Sequence, residues 1–192
     1  MNIDLIIQTL YLFLFCLLLA VFEIQIEGRY GWAAKLPTWR PSRDKWYSKI
    51  YGKIMNDKDL TGYHLCVFTL VLIFLHHPYF TGQDWSWFAE LGAISLFFLI
   101  SITWDFLWFV LNPHYGLRRF KSKYIWWHKK WFLFMPISYY SALIISVLFY
   151  LRFSLSWVLF KEWLLTVALF LILTSLVIIF SLIFRKNESK SL

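Results

Sequence analysis

Six residues have side chains whose types and placement could do chemistry together: Glu23, Glu27, His64, Asp105, His114 and His128. Carboxylates and imidazoles converging from different helices are the ligand set of zinc and of bundle di-metal sites. The same groups can act as general acid and base without a metal. Glu23 and Glu27 stand four residues apart, so they share a face if their helix continues to Gly28. Asp105 lies in Trp104-Asp105-Phe106-Leu107-Trp108-Phe109, where the only other polar side-chain groups are indole N–H. A carboxylate in such a segment is costly and faces a bundle interior. It marks either function or a buried structural group, ion-paired to a loop Arg or Lys or protonated.

What must position these groups is a set of membrane helices. The chain of 192 residues is 60% hydrophobic, 22% aromatic and 16% charged, against roughly a quarter charged in soluble domains. A spanning helix needs about 20 apolar residues to cross about 30 Å. Five segments meet that length, at about 4–24, 62–81, 88–111, 132–151 and 162–184. They use more than half the chain, which predicts a single integral membrane domain over 1–192. The N-terminus lacks a basic region before its apolar stretch, so it reads as a first span, not a cleaved signal. Cys16 and Cys66 fall inside spans, as buried thiols and not as a disulfide framework.

Charge orients the bundle. Of 19 Lys and Arg residues, eight fall between Arg29 and Lys58, six between Arg118 and Lys130, and three after Phe184. Basic residues collect on the cytoplasmic side of short loops, which predicts an N-terminus outside and a C-terminus inside, in a bacterial inner membrane. That orientation brings all six chemical candidates to the inner leaflet, with Asp105 about 10 Å deep at about 1.5 Å per residue. The net charge of +8 and the alternation of Tyr124, Trp126, Trp127 and Trp131 with lysines resemble a single-strand nucleic-acid platform. This stretch runs straight into a span, so it reads as an aromatic belt meeting anionic headgroups, and nucleic acid is set aside.

The first inside loop has two glycines and two prolines between Gly28 and Pro41, then Ser42 as a helix N-cap with Asp44 in the first turn. Over 43–55, Trp46, Ile50 and Ile54 recur every four residues, as do Tyr47, Tyr51 and Met55, with Lys45, Lys49 and Lys53 opposite. That pattern predicts an amphipathic helix in the headgroup plane, or one packed on the bundle. Arg118 and Arg119 are candidate holders of a lipid phosphate. The tail from Arg185 to Lys190 reads as a solvated stop-transfer sequence. His76 and His77 belong at the outer end of the second span, and His77-Pro78 reads as a helix end.

The expected fold is therefore an all-α polytopic membrane bundle of about five transmembrane helices plus one interfacial helix. Five scattered histidines without an HxxHH cluster exclude histidine-box hydroxylases, and no HExxH, GxSxG or P-loop is present. His64 and His76, at opposite ends of one helix, do not form a haem pair. Trp104 to Pro113 and Gly31 to Trp39 resemble segments of uncharacterised bacterial integral membrane proteins. That resemblance covers about the first two-thirds of the chain and implies no activity. The leading functional expectation is a metal-dependent enzyme acting on a lipid or amphipathic substrate. Its ligands or acid/base groups would be Glu23, Glu27, His64 and Asp105, completed by His114 and His128, around a divalent ion such as zinc or iron. The alternatives are an ion, proton or small-molecule transporter, for which the outer halves of spans one, four and five offer no evident polar path, and a non-catalytic membrane subunit.

Overall fold

The computed structural model describes residues 3–188, with side chains through Phe184. Met1, Asn2 and residues 189–192, which include the end of the predicted stop-transfer tail, lie outside the described residues. Six helices follow one another: α1 (Ile3–Glu27), α2 (Trp46–Ile54), α3 (Gly62–Phe80), α4 (Trp87–Leu111), α5 (Ile137–Tyr150) and α6 (Trp157–Glu188). A single 3-10 turn (Leu117–Arg119) and a two-stranded ribbon, β1 (Trp131–Phe132) with β2 (Met135–Pro136), complete the fold. It is the all-α membrane bundle that the composition implies, and α1, α3, α4 and α6 are long and apolar enough to cross a membrane.

Side-chain bonds between helices set their directions. Cys16 Sγ reaches the Ile100 carbonyl at 3.9 Å, and twelve residues further along each helix Asn112 Nδ2 donates to the Gly28 carbonyl at 2.7 Å. α1 and α4 therefore run parallel. On α5, Ser146 meets Ser95 while Tyr139 meets Asp105, so α5 is antiparallel to α4. Trp163 bonds Ser146, and Ser181 donates to the Val110 carbonyl, which turns α6 back alongside α4. α3 opposes α1, with Phe74 stacked on Phe15 at one end and His64 beside Glu23 and Glu27 at the other. Helices thus alternate in direction around a central α4, whose Leu99, Ile100, Leu107 and Phe109 are fully buried.

Four sequence expectations change. The span foreseen over 132–151 is a shorter apolar helix of 14 residues, about 21 Å long at about 1.5 Å per residue. Pro136 is the cause: it disfavours helix at Met135, and the chain before it forms the ribbon, turning at Leu133 with φ 52°. In contrast, α3 continues through Pro78 to Phe80; so close to the helix end, proline sacrifices only the bond to the Phe74 carbonyl. The interfacial helix begins at Trp46, not after Ser42. Ser42 to Lys45 form a turn, and the cap residue, Lys45, makes no side-chain cap. Lastly, polar residues do line a cavity at the end of the bundle away from Glu27, among them Gln8, Thr9 and Thr166.

Within α2 the two apolar rows part. Tyr51 and Met55 pack on the bundle core, whereas Trp46 and Ile54 stay 73% and 75% exposed and point away from it.

Candidate functional site

α1 ends at Glu27 because Gly28 takes a left-handed turn (φ 60°) and closes its N–H on the Ile24 carbonyl at 2.9 Å. Gly31, Trp32 and Ala33 then continue left-handed at φ 62°, 47° and 51°. A Cβ on Gly31 would sit 2.3 Å from the Trp127 ring, so only glycine fits there. For Trp32 and Ala33 the conformation costs about 1–2 kcal/mol each, and three contacts hold it. The Trp32 indole donates to the Asp59 carbonyl at 2.9 Å, the Ala33 N–H donates to the Glu27 carboxylate, and Arg40 donates to the Ala33 carbonyl. The outcome is a Trp32 ring stacked on the His64 imidazole, with centroids 3.8 Å apart and planes 17° from parallel.

His64 stands in the first turn of α3, where Thr61 is the N-cap. The Thr61 hydroxyl accepts from the His64 N–H at 3.2 Å and bonds Nδ1 at 2.8 Å. With Nδ1 engaged, Nε2 faces Glu27 Oε1 at 3.8 Å and Glu23 Oε1 at 4.0 Å. All three residues are buried, and their ligand atoms lie within 4.8 Å of one another. This group could hold a metal ion. At bond lengths of about 2.0–2.2 Å, tetrahedral ligands stand roughly 3.3–3.6 Å apart, so the donors would close by up to about 1 Å. Among the described residues, no Lys or Arg nitrogen comes within 4.0 Å of either carboxylate. Two buried carboxylates without a fixed cation need one, or protons.

Asp105 does not join that trio. Its Oδ2 accepts the Tyr139 O–H at 2.5 Å and pairs with His128 Nε2 at 3.1 Å. The Asp105 side chain is 30% exposed, so the carboxylate keeps free surface. His128 is buried in the loop before β1, and its carbonyl accepts the Trp131 indole N–H at 2.6 Å. Burial pushes the His128 imidazole below the usual histidine range, with the Asp105 charge opposing.

Both groups open on one cavity of about 550 Å³. Lys58 also lines it, half-buried, with its ammonium 4.0 Å from the centre of the Trp32 ring. Burial lowers the Lys58 pKa, and the charges of Asp105, Glu23 and Glu27 work against that shift. A second left-handed pair, Asn56 and Asp57 (φ 55° and 62°), directly precedes it. Away from the carboxylates the walls become apolar, with Phe97 and Ile102 on α4 and Ala142 and Ile145 on α5.

Of the residues singled out from sequence, the fold brings Glu23, Glu27, His64, Asp105 and His128 to this cavity and leaves three away from it. His114 is exposed; its N–H donates to Asn112 and its carbonyl accepts from Arg119. Arg118 and Arg119 are exposed on the 3-10 turn. His76 lies at the opposite end, 3.0 Å from Glu90. Sequence reasoning missed Lys58, Tyr139 and Trp32. Lys58 reads as one more loop charge and Tyr139 as one more aromatic; only the Gly28/Gly31 spacing hinted at the turn that aims Trp32.

Comparison of the chain with protein-family models, curated proteins and solved structures found no match.

Proposed function

We propose that this chain is a metal-dependent membrane enzyme acting on an amphipathic substrate at the cytoplasmic leaflet of a bacterial inner membrane. One observation carries the reading: Glu23, Glu27 and His64 are buried together, within 4.8 Å, with no Lys or Arg among the described residues paired to them. Glu23, Glu27 and His64 are the metal ligands in this reading, and Thr61 fixes the imidazole so that Nε2 faces the carboxylates. Zinc or iron suits such a mixed oxygen and nitrogen set. When bound, a divalent ion supplies Lewis acidity to a substrate oxygen or water. Asp105 and His128 are the acid/base pair, with Tyr139 and the ring cage around His128 holding them in place. His114, Arg118 and Arg119, on the adjoining surface, meet headgroups and not the reacting atoms.

The orientation rests on charge. α2 and the loops around the cavity carry Lys45, Lys49, Lys53, Lys129 and Lys130, while the opposite end has Arg152 and Lys161. Metal analysis of purified protein tests the reading. About one equivalent of zinc or iron is expected, lost in Glu27→Gln and His64→Ala and retained in Glu90→Gln. Protein that neither carries nor takes up either metal would refute it.

Transport is the second reading, because a cavity of about 770 Å³ at the opposite end is lined by Gln8, Thr9, Glu162 and Thr166. Cys16, Leu99 and Ile100 form a fully buried layer in the bundle core. Metal or proton flux into vesicles carrying the protein, abolished by Asp105→Asn, would favour transport over catalysis.

A further inference from the structure

The unused donors of the cavity say what kind of substrate it takes, given the metal site proposed above. The indole N–H of Trp108 and the O–H of Tyr51 have no hydrogen-bond partner among the described residues, and both residues line the cavity, whereas the Trp104 indole beside them is directed to the Glu23 carboxylate. Trp108 is only 2% exposed. A buried donor left without an acceptor carries a desolvation cost, so these groups call for a ligand that supplies acceptors. Indole and ammonium groups donate and never accept. Lys58, Lys53 and Lys130, which also line the cavity, add three cations of the same character.

Opposing them are three carboxylates, Glu23, Glu27 and Asp105, which would repel an anion. A bound divalent ion inverts that local charge. The geometry therefore favours an anionic head rich in acceptor oxygens that binds only after the metal. The rest of the cavity describes the other end of the ligand. From Asp105 the lining runs along α4 to Ser101 and then Phe97, eight residues or about 12 Å at about 1.5 Å per residue. Facing it on α5 are Ala142 and Ile145. Ser101, Ser138 and Ser141 aside, this arm is apolar and long enough for an alkyl chain.

We propose that the substrate is a phosphorylated amphiphile, its phosphate held between the metal and the Lys58, Trp108 and Tyr51 donors and its chain in the arm between α4 and α5. The aromatic walls and carboxylates also match an organic cation. Trp32, however, is already covered by His64 on one side and has Lys58 over its ring.

The test uses the full chain in nanodiscs of zwitterionic lipid, with zinc added or removed, and reads tryptophan fluorescence during titration with octyl phosphate, octyltrimethylammonium or inorganic phosphate. Octyl phosphate is expected to bind the zinc-loaded protein at least about tenfold more tightly than the zinc-free protein. Lys58→Met and Trp108→Phe are each expected to weaken it about tenfold while zinc stoichiometry stays unchanged, the loss of one charge-assisted hydrogen bond. Lys58→Met, in a half-buried loop, keeps the test open if Trp108→Phe does not fold. Tighter binding of octyltrimethylammonium, or octyl phosphate binding indifferent to both substitutions, would overturn the inference. Inorganic phosphate binding as tightly as octyl phosphate would overturn the amphiphile and assign the site to free phosphate. Zinc or iron uptake without octyl phosphate binding sinks this inference alone; uptake of neither metal sinks the reading beneath it.

Discussion

The two ends of the bundle both place polar groups among apolar helices, yet they treat them oppositely. At the end carrying α3's C-terminus, Glu90 accepts from the Trp85 indole at 3.2 Å and pairs with His76 at 3.0 Å. Nearby, Ser95, Ser146 and Trp163 tie α4, α5 and α6 in one hydrogen-bonded node. At the Glu27 end, carboxylates face an imidazole across gaps of 3.8 and 4.0 Å, too long for a hydrogen bond. Trp108 and Tyr51 keep unmatched donors there, and four non-glycine residues hold left-handed backbone around the cavity, against two, Arg152 and Phe153, at the other end. Polar residues in a span are thus not in themselves a sign of function. The sign is polarity that the protein organises at some cost and leaves unsatisfied.

An all-or-none experiment asks whether the two ends face different sides of the membrane. In a background without Cys16 and Cys66, cysteines at Ser42 and Ser122 are expected to resist an impermeant thiol reagent in intact cells, and one at Gly82 to react. The reverse labelling would put the cavity on the outer side.

Backbone strain gives the next largest contrast. Gly31→Ala drives a methyl into the Trp127 ring and keeps a left-handed φ. A loss of about 3 kcal/mol is expected from overpacking plus the conformational cost, seen as a large drop in Tm together with weaker metal uptake. Gly28→Ala, with nothing within 4 Å of the added methyl, should lose only about 1 kcal/mol. Equal losses would mean that the Gly31 turn is not built around Trp127.

Asp105→Asn and Glu90→Gln compare the two ends directly. Each keeps side-chain size and removes charge. For both, a stability loss of about 1–2 kcal/mol is expected, as for a weakened buried hydrogen bond. Only Asp105→Asn should also impair activity or ligand binding. Matching phenotypes would show Asp105 to be a structural group like Glu90.

The smallest effect concerns α2. Spin labels at Trp46 and Lys49 should differ modestly in lipid accessibility, with Trp46 the more lipid-exposed. Equal water exposure at both would leave α2 as an ordinary surface helix packed through Tyr51 and Met55.

Much of the architecture was legible before folding. Apolar runs of spanning length located α1, α3, α4 and α6, since such runs have few stable states other than a membrane helix. Helix geometry then put Glu23 and Glu27 on one face, and span depth brought His64 and Asp105 near them. Pro136 was a visible warning that the fourth run would start late; the weight given to apolar length obscured it.

Composition and periodicity determined the class of molecule, the helices and the depth of each unusual polar residue, because these depend on local backbone geometry and on the cost of water-free surroundings. Tertiary structure alone divided the depth cluster into two groups, Glu23, Glu27 and His64 on one side and Asp105, His128 and Tyr139 on the other. It also brought in Lys58 and Trp32 and turned His114 outward. Those choices rest on the rotation of each helix about its axis and on left-handed turns such as Gly31 to Ala33. Both are set by long-range contacts, among them the Trp127 ring against Gly31, that lie about a hundred residues apart in the chain and leave no periodic trace in it.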